Sequence, residues 1–483
     1  MLTLRIRLED ANEEFSLDGK AFRFGSSYIE AFASNQITIS ALNSLGRKEI
    51  WIGEDADPMP VEGFELPRME RYRTFPDYEG IKILIHRVDE RTVIEIVRTA
   101  EGGCPVYVAA DQATLIASWK FEDAAQARPH PKPNVEACRI YLKHGQRQVR
   151  DMIIEGVSML WPGESVTFSV EGLTFREVDT PDIVLSGTLS ESARATDEFL
   201  RLIAEAMRIN LAKSVRPLIE LSGGLDSSCV AVAACSVRRG MSSYAVIHEG
   251  AAGVQQRKRR RELVDLMGLN DFEAPSFEHP PFASLQVEEC TFTPYDDNYR
   301  LPCVYAVDAH PAQDIDLIIT GLGGDELTME NTFFRQKWEV SGSICTSAVV
   351  AAFGRADMFM RRGIWPIHPL VNQSVVDFCR ALPKKMRDGR LLNLLTLARS
   401  GLSDGFLFPR YYEHYGNVIQ REAALFDFDS ALSESVVADY GIAEFSPLLD
   451  SAREATLRGF TYELIMELYL LLKLETVLRR YVS

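Results

Sequence analysis

The sequence predicts an α/β protein with a strand-rich N-terminal domain, followed by a doubly wound domain that has a helical C-terminal part. Short apolar or alternating runs dominate residues 1 to about 185. Between residues 217 and 320, strand-like apolar runs alternate with helix-like runs, which is typical of a parallel sheet with crossover helices. Beyond about residue 340 the apolar periodicity is mainly that of helices.

The N-terminal domain is predicted to cover residues 1–185. Its runs of strand length, which alternate or stay apolar, are 1–9, 81–85, 92–97, 106–109 and 165–170. Helices are predicted over 110–118 and 135–144. The polar stretch 180–192, with Pro181, marks the boundary to a second domain over residues 190–483.

The second domain begins with a predicted helix over 191–212, because apolar residues recur there at helical spacing. Strands are predicted at 217–221, 243–248 and 314–320, and helices at 226–237 and 256–267. The basic run 257–261 is expected to be a solvated helix face, with a patch for an acidic or polyphosphate ligand as the alternative. The apolar run 464–472 is predicted to be a buried packing helix.

Composition limits the possible classes of function. The chain has 483 residues, which favours two domains, and its net charge of −17 argues against a general nucleic-acid binder. The eight cysteines are scattered without a CxxC pair, which argues against zinc sites and disulfides and for a reducing cytoplasm. No apolar run reaches the roughly 18 residues of a membrane span, and the start lacks the form of a signal peptide. We therefore expect a cytoplasmic protein.

A glycine-rich loop follows the first strand of the second domain. Its sequence is Ser222-Gly223-Gly224-Leu225-Asp226-Ser227-Ser228, between the strand-like run 217–221 and the helix-like run 229–234. Such a loop directs backbone N–H groups at one point beside a helix N-terminus, where phosphate binds. A carboxylate in this position is explained if it holds Mg²⁺ against the phosphates. The alternative is a plain strand–turn–helix junction capped by Asp or Ser.

A second glycine loop with acidic residues follows the predicted strand 314–320. It reads Gly321-Leu322-Gly323-Gly324-Asp325-Glu326. In an open α/β sheet, loops at the carboxyl ends of the strands share one crevice. Two such loops are able to hold a metal–triphosphate from both sides, whereas the alternative for Asp325 and Glu326 is a solvated acidic turn.

The two loops together resemble those of the asparagine synthetase family of ATP-pyrophosphatases. In the N-terminal half, Gly103-Cys104-Pro105-Val106-Tyr107 and Leu160-Trp161-Pro162-Gly163-Glu164 are similar to further family segments. The resemblance implies a glutaminase-like domain of Ntn type and a synthetase domain like the adenine-nucleotide α-hydrolases. It also implies that MgATP activates a carboxylate as an acyl-adenylate, that pyrophosphate is released, and that an amine then attacks.

The resemblance also implies roles for individual residues. Asp226 and Asp325 would hold Mg²⁺ and take part in catalysis, and Leu221 and Val246 would flank the adenine and ribose. The remaining implied nucleotide-binding residues are Ser222, Gly223, Gly224, Leu225, Ser227, Ser228, Gly323, Gly324 and Gly363.

Three departures from the family pattern refine the prediction. Residue 2 is Leu2 rather than the cysteine that hydrolyses glutamine, so the N-terminal domain is expected to be inactive. Trp365 replaces a glutamate that assists asparagine formation. The family's Arg-x-x-Lys appears as Arg410-Tyr411-Tyr412-Glu413-His414, so Arg410 and His414 are candidates for the missing cation. The alternatives are a surface ion pair for Arg410 and a satisfied polar residue for His414.

The lasso peptide cyclases of this family share the first two departures. The segment Pro369-Leu370-Val371-Asn372-Gln373-Ser374-Val375-Val376 resembles their Pro-Leu-x-x-Gln-x-Val-Val stretch. The resemblance implies ATP-dependent macrolactam formation in a precursor peptide and a large cleft between the domains. The expected partners are that peptide, a leader-peptide protease and a leader-binding protein, with no nucleic acid and no membrane span.

Other functions stay open at this point. They are a small-molecule amide former similar to the β-lactam synthetases, a glutamine-independent asparagine synthetase homologue, and a non-enzymatic binding protein. Asp296 and Asp297 are candidates for substrate contact, with a solvated acidic turn as the alternative. Glu326, His368 and His414 are candidates for the general base.

Overall fold

The N-terminal part consists mainly of two antiparallel sheets. The computed structural model describes residues 1–44, 47–54, 79–145, 149–177, 192–297, 299–328, 346–411 and 416–482. The strands of this part are β1 (Leu2–Arg7), β2 (Ser16–Asp18), β3 (Ala21–Phe24), β4 (Ser27–Ala31), β5 (Thr38–Ser44), β6 (Arg47–Gly53), β7 (Gly80–Val88), β8 (Arg91–Arg98), β9 (Tyr107–Ala110), β10 (Thr114–Ser118), β11 (Val157–Met159), β12 (Glu164–Ser169) and β13 (Gly172–Glu177). Helices α1 (Phe121–Ala125) and α2 (Val135–His144) lie between β10 and β11.

The seven-stranded sheet has the order β11-β9-β10-β1-β4-β3-β2, and the six-stranded sheet has the order β13-β12-β8-β7-β6-β5. Apolar residues of both sheets, such as Leu4, Ile29, Ile83 and Ile96, belong to one buried cluster. The prediction of a strand-rich N-terminal domain is therefore confirmed.

One predicted helix in this part is wrong. Residues 110–118 form the end of β9 and the whole of β10, which pairs antiparallel with β1 and β9. The two strands are joined by a turn at Asp111, whose Oδ1 accepts the N–H groups of Ala113 and Thr114 at 2.8 and 2.7 Å. This turn closes a hairpin, and pairing of 114–118 with strands on both sides replaces the helix that the sequence predicts. The other predicted helix is confirmed as α2, which Asn134 caps.

The second part is built on a five-stranded parallel sheet. In chain order its elements are α3 (Ser192–Lys213), β14 (Pro217–Glu220), α4 (Leu225–Val237), β15 (Ser242–Ile247), α5 (Gly250–Met267), β16 (Asn270–Pro275), α6 (Arg300–Asp308), β17 (Leu317–Ile319), α7 (Gly324–Thr328), α8 (Thr346–Met360) and β18 (Trp365–Ile367). The strand order is β16-β15-β14-β17-β18. The order reverses between β14 and β17, which is the point where open α/β sheets bind ligands. The parallel, doubly wound prediction is confirmed.

The two edge strands, β16 and β18, are absent from the sequence prediction. Strand β16 is mostly exposed along its polar sequence Asn270–Pro275, so it lacks an apolar run. Strand β18 has three residues, one of them Pro366. Proline is tolerated at a sheet edge because an edge strand leaves N–H positions unpaired.

Helices make up the C-terminal part. They are α9 (Gln373–Ala381), α10 (Lys384–Arg387), α11 (Leu391–Arg399), α12 (Asp404–Leu407), α13 (Gly416–Ala423), α14 (Phe428–Ala431), α15 (Val436–Asp439), α16 (Ser446–Arg458) and α17 (Tyr462–Tyr481). Helix α17 buries much of its surface, including Leu468 and Leu472, as predicted for a packing helix. Within the described ranges, no helix combines the length and apolar character that a membrane crossing requires.

The N-terminal sheets and the parallel sheet share one core. The ring of Phe32 lies 5.8 Å from that of Trp365, and Trp365 Nε1 donates to Glu54 Oε1 at 2.7 Å. Across the same junction, Arg361 forms a bidentate ion pair with Glu122, in which Nη1 and Nη2 donate to the two carboxylate oxygens at 2.8 and 2.9 Å. The predicted domain boundaries, residues 185 and 190, fall in 178–191, outside the described residues.

The expectation of a solvated basic face on α5 is confirmed for Arg257, Lys258 and Arg261, which are exposed, and is wrong for the other two residues of the run. Arg259 and Arg260 of the basic run are buried. Arg259 Nε donates to the Phe406 carbonyl at 2.8 Å, and Arg260 pairs with Asp271 and Glu273. Arg257 alone of these three keeps a largely exposed ion pair, with Glu273. Seven cysteines lie in the described residues, and all seven are buried with free thiols.

Candidate functional site

The first glycine loop leaves the central strand β14 and enters α4 within four residues. The Leu221 N–H donates to the Tyr244 carbonyl at 2.8 Å, which extends the sheet pairing by one residue. Gly223 then takes a φ of 87°, a conformation that favours glycine. Gly224 caps α4, so the first N–H groups of this helix point away from the sheet into the crevice.

Serine hydroxyls fix the shape of this loop. The Ser222 and Ser227 hydroxyls lie 3.0 Å apart, and the Gly224 N–H donates to Ser222 Oγ at 3.1 Å. Ser228 Oγ donates to the Gly224 carbonyl at 2.6 Å. These hydrogen bonds fix the conformation of the loop without a ligand. The N–H groups at the start of α4 are suited to binding an anion.

Helix α5 supports the same loop from behind. Gln256 Nε2 donates to the carbonyls of Ser222 and Val246, at 3.0 and 2.9 Å. Arg260 Nε donates to the Leu221 carbonyl at 2.7 Å. Leu221 and Val246 are thus joined through one helix at the carboxyl ends of neighbouring strands.

The second loop interlocks with the first. A Cβ atom on Gly321 would lie 2.6 Å from the Ser227 nitrogen, and one on Gly324 would lie 2.2 Å from Asp226 Cγ. Real Cβ atoms do not approach other heavy atoms so closely, so both positions require glycine. Gly323 has a φ of 96° and packs against Val371. The Asp226 carboxyl group therefore lies directly on the backbone that precedes Asp325.

One arginine bridges the two carboxylates of these loops. Arg390 Nη2 contacts Asp325 Oδ1, and its Nη1 lies 3.5 Å from Asp226 Oδ2. Asn393 Nδ2 donates to Asp226 Oδ1 at 2.5 Å. The pKa of Asp226 is raised to about 6, mainly by burial; Arg390 opposes this rise and Glu326 adds to it.

The donor set fits a magnesium ion that is bound together with phosphates. Asp226 and Asp325 lie on either side of the Arg390 guanidinium. Mg²⁺ is commonly held by one or two carboxylates, while phosphates and waters supply the other ligands. In the described part of the chain, no cluster of three or more His, Cys, Asp or Glu forms a complete protein cage. The residues present thus suit a metal that arrives with its nucleotide.

Comparison with known proteins identifies the region that carries both loops. Residues 198–344 match the family model described as asparagine synthase. This match supports an asparagine synthetase-like ligase, and ATP-dependent amide-bond formation in general. Both glycine loops, with Asp226 and Asp325, lie inside the asparagine synthase-like region.

The other comparisons add little. A search of curated proteins gave no match. Among solved structures, the chain is similar to glutamine phosphoribosylpyrophosphate amidotransferase from B. subtilis complexed with ADP and GMP, at 8% identity and a TM-score of 0.20. The similarity covers 56% of this chain and 65% of that chain, so this chain spans less than two thirds of that protein. A similarity this weak carries no argument.

Three further predicted site residues are described, and they differ in how they are placed relative to the two loops. Glu326 follows Asp325 in α7 and acts electrostatically on Asp226. Arg410 is exposed, and its N–H donates to Gln255 of α5 at 2.8 Å, next to the residue that supports Ser222. Gly363 precedes β18 and lies at the amino edge of the sheet, opposite the two loops. His414 lies outside the described residues.

Asp296 and Asp297 are held in buried ion pairs, so the alternative of a solvated acidic turn is wrong. Asp296 contacts Lys473 at 2.8 Å and Arg300 at 3.6 Å. Asp297 Oδ2 accepts from Arg355 Nε at 2.5 Å. These contacts link the segment before α6 to α8 and α17, and they give both carboxylates a structural role.

His368 lies behind the second loop rather than at its surface. Its Nδ1 is 2.7 Å from Thr320 Oγ1, and burial, together with Arg355, lowers its pKa to about 3. It lines a cavity of about 40 Å³ at the junction with the N-terminal part. That volume holds roughly three water molecules, so this cavity is not the large peptide cleft expected between the domains.

Sequence reasoning missed Arg390 and Asn393. Arg390 directly precedes α11 and Asn393 lies in its first turn, far along the chain from the two loops, and no glycine-rich or acidic motif marks them. The only local signal is Asp388-Gly389, a turn sequence directly before the apolar helix. Such a turn predicts a helix start but does not predict that it faces Asp226.

Proposed function

We propose that this protein is a ligase that adenylates a carboxylate with ATP and transfers the acyl group to an amine. The observation that carries the proposal is the pair of interlocked glycine loops at the point where the strand order reverses, with Asp226 and Asp325 bridged by Arg390. The match of residues 198–344 to asparagine synthase, which includes both loops, supports the same chemistry.

The chemistry requires two transfers. A carboxylate oxygen attacks the α-phosphorus of ATP, and pyrophosphate leaves. The amine then attacks the acyl carbon, AMP leaves, and the nitrogen loses a proton as the amide forms. The N–H groups at the start of α4, with the serine hydroxyls, would bind the phosphates, while Asp226 and Asp325 would hold Mg²⁺. When bound, Mg²⁺ supplies charge neutralisation to the phosphates.

We propose that the carboxylate is an Asp or Glu side chain of a precursor peptide and that the amine is the N-terminus of that peptide. Residue 2 is a buried leucine of β1, and Cys104 is also buried, so neither position offers an exposed thiol for glutamine hydrolysis. Trp365 stands where the resemblance places the assisting glutamate, and an indole has no carboxylate for asparagine formation. Its side chain is fully buried and donates a hydrogen bond to Glu54. The Pro369–Val376 segment adds the resemblance to lasso peptide cyclases. A leader-peptide protease, a leader-binding protein and a reducing cytoplasm belong to this proposal.

The test is ATP–pyrophosphate exchange with labelled pyrophosphate. The purified protein is incubated with MgATP and with either a synthetic peptide, which has a free N-terminus and an internal Asp or Glu, or the free amino acids. We expect exchange with the peptide, release of AMP, and a peptide product that has lost one water. Asp226→Asn should lower exchange about 100-fold.

Asp197→Asn is the matched control, because Asp197 is exposed and pairs with Arg399 on the surface. It should leave exchange unchanged. Exchange with free amino acids and with no peptide would favour the small-molecule amide former. Cleavage of ATP to ADP, or no exchange with any carboxylate, would contradict adenylation itself.

A further inference from the structure

Arg390 occupies the space between the two carboxylates where the proposed metal would bind. Its guanidinium contacts Asp325 with one nitrogen and lies 3.5 Å from Asp226 with the other. Mg²⁺ needs carboxylate oxygens at about 2.0–2.1 Å, so a metal between the same two oxygens leaves no room for a guanidinium there. The arginine and the metal therefore compete for one place.

The backbone at Arg390 is unusual. Gly389 and Arg390 both adopt left-handed conformations, with φ of 62° and 61°, immediately before α11. A non-glycine residue in this region is strained, and such residues persist where surrounding contacts hold them in place. Here the turn aims both Arg390 and Asn393 at Asp226.

Electrostatics explains why a movable cation is useful at this point. Asp226, Asp325 and nearby Glu326 would repel one another without a positive charge between them. A guanidinium also binds phosphate oxygens with two parallel hydrogen bonds, as it binds a carboxylate. Arrival of a metal-bound nucleotide therefore offers the carboxylates a new cation and offers the arginine a new anion.

We propose that Arg390 is a placeholder cation, which holds the Asp226–Asp325 pair before nucleotide binds and moves onto the phosphates when the metal–nucleotide complex enters. This inference rests on the proposed function, because it assumes that the two loops bind ATP. It gives a phosphate-binding role to a residue outside the asparagine synthase-like region. It also supplies the cation for which Arg410 and His414 are the candidates from sequence.

The test compares Arg390→Gln with Arg399→Gln. Arg399 lies at the other end of the same helix and pairs with Asp197 on the surface, so its loss is a matched control. Binding of Mg²⁺ alone is measured by calorimetry, and that of Mn²⁺ alone by electron paramagnetic resonance. Binding of ATP is measured separately at saturating Mg²⁺.

We expect opposite changes in the two measurements. Without its competitor, Arg390→Gln should bind Mg²⁺ alone about tenfold more tightly, whereas its ATP affinity should fall about tenfold because a charged hydrogen bond to phosphate is lost. Arg390→Lys should lie between Arg390→Gln and wild type in both, since a lysine reaches one carboxylate at a time. Arg399→Gln should match wild type in both.

Two results would overturn the inference. Unchanged or weaker Mg²⁺ binding in Arg390→Gln would show that the arginine does not compete with metal, and unchanged ATP affinity would show that it does not move to phosphate. If Arg390→Gln does not fold, the same two measurements are made on Arg390→Lys. Failure of the proposed function is distinguishable, because wild type would then bind no ATP while the Mg²⁺ comparison would still test the arginine.

Discussion

At the residue scale, the missing side chain of Gly324 decides how closely the two loops approach. A methyl group there would lie 2.2 Å from Asp226 Cγ. We therefore expect Gly324→Ala to push the Asp226 carboxyl group out of place and to lower ATP affinity about tenfold in the presence of Mg²⁺. The overpacking should also lower the free energy of unfolding by about 1–3 kcal/mol. Calorimetric titration with ATP and urea unfolding measure the two effects.

Gly405→Ala is the matched control. Its added methyl group would meet only Ser403 Oγ, at 3.7 Å, which is an ordinary contact. Both ATP affinity and stability should stay close to those of wild type. If Gly324→Ala binds ATP as wild type does, the loops do not depend on this close approach.

The acidic residues of the site were predictable because they sit on loops with a recognisable glycine pattern. Asp226 and Asp325 were expected to share a crevice, and the structure places them on interlocked loops. Arg390 was not predictable, since its position depends on how α11 packs against α4. Asp296 shows the reverse case, because its acidic neighbourhood suggested solvent and the fold supplies Lys473 and Arg300.

At the scale of elements, His368 connects the ends of two neighbouring strands behind the second loop. It follows β18, and its Nδ1 lies 2.7 Å from Oγ1 of Thr320, which follows β17. Its pKa falls from the usual 6.5 to about 3 because the ring is buried. In the unfolded chain the ring takes up a proton below pH 6.5, whereas in the folded protein it stays neutral until about pH 3.

This difference makes His368 a source of acid lability. Its contribution to stability is full above pH 6.5 and is lost as the pH falls from 6.5 toward 3, by about 1.4 kcal/mol per pH unit. We expect unfolding free energies of His368→Gln, measured in urea between pH 7 and about pH 5, to fall less steeply than those of wild type. The exposed His130→Gln is the control and should keep the wild-type slope. Equal slopes for wild type and His368→Gln would show that the fold does not hold His368 in its neutral form in this pH range.

Elements with a clear apolar period were predicted well, and those fixed by local hydrogen bonds or by edge position were not. Helix α2 and strands β14, β15 and β17 follow their sequence patterns. The turn at Asp111, fixed by side-chain hydrogen bonds to the N–H groups of Ala113 and Thr114, replaced an expected helix because it brings 114–118 into pairing with β9. Strand β16 has a polar sequence, and β18 is only three residues long and contains Pro366, so neither shows a clear strand pattern in the sequence.

At the scale of the whole molecule, Trp365 ties the N-terminal sheets to the parallel sheet. Its side chain is fully buried, contacts Phe32, and donates to Glu54 Oε1. The buried cluster around it contains residues from both parts of the chain. A core that both parts share predicts that they unfold together, since neither part keeps its apolar surface covered alone.

We therefore expect one cooperative transition in urea. Tryptophan fluorescence reports mainly on the N-terminal part, which holds three of the five tryptophans, while far-ultraviolet circular dichroism reports mainly on the C-terminal helices. Trp365→Ala should lower the stability seen by both probes equally, by about 3–5 kcal/mol, because it leaves a cavity in the shared core. Tyr440→Ala, at an exposed position of the C-terminal helices, should leave both midpoints nearly unchanged. Midpoints that separate in Trp365→Ala, or that already differ in wild type, would mean that the two parts are independent folding units joined by a contact surface.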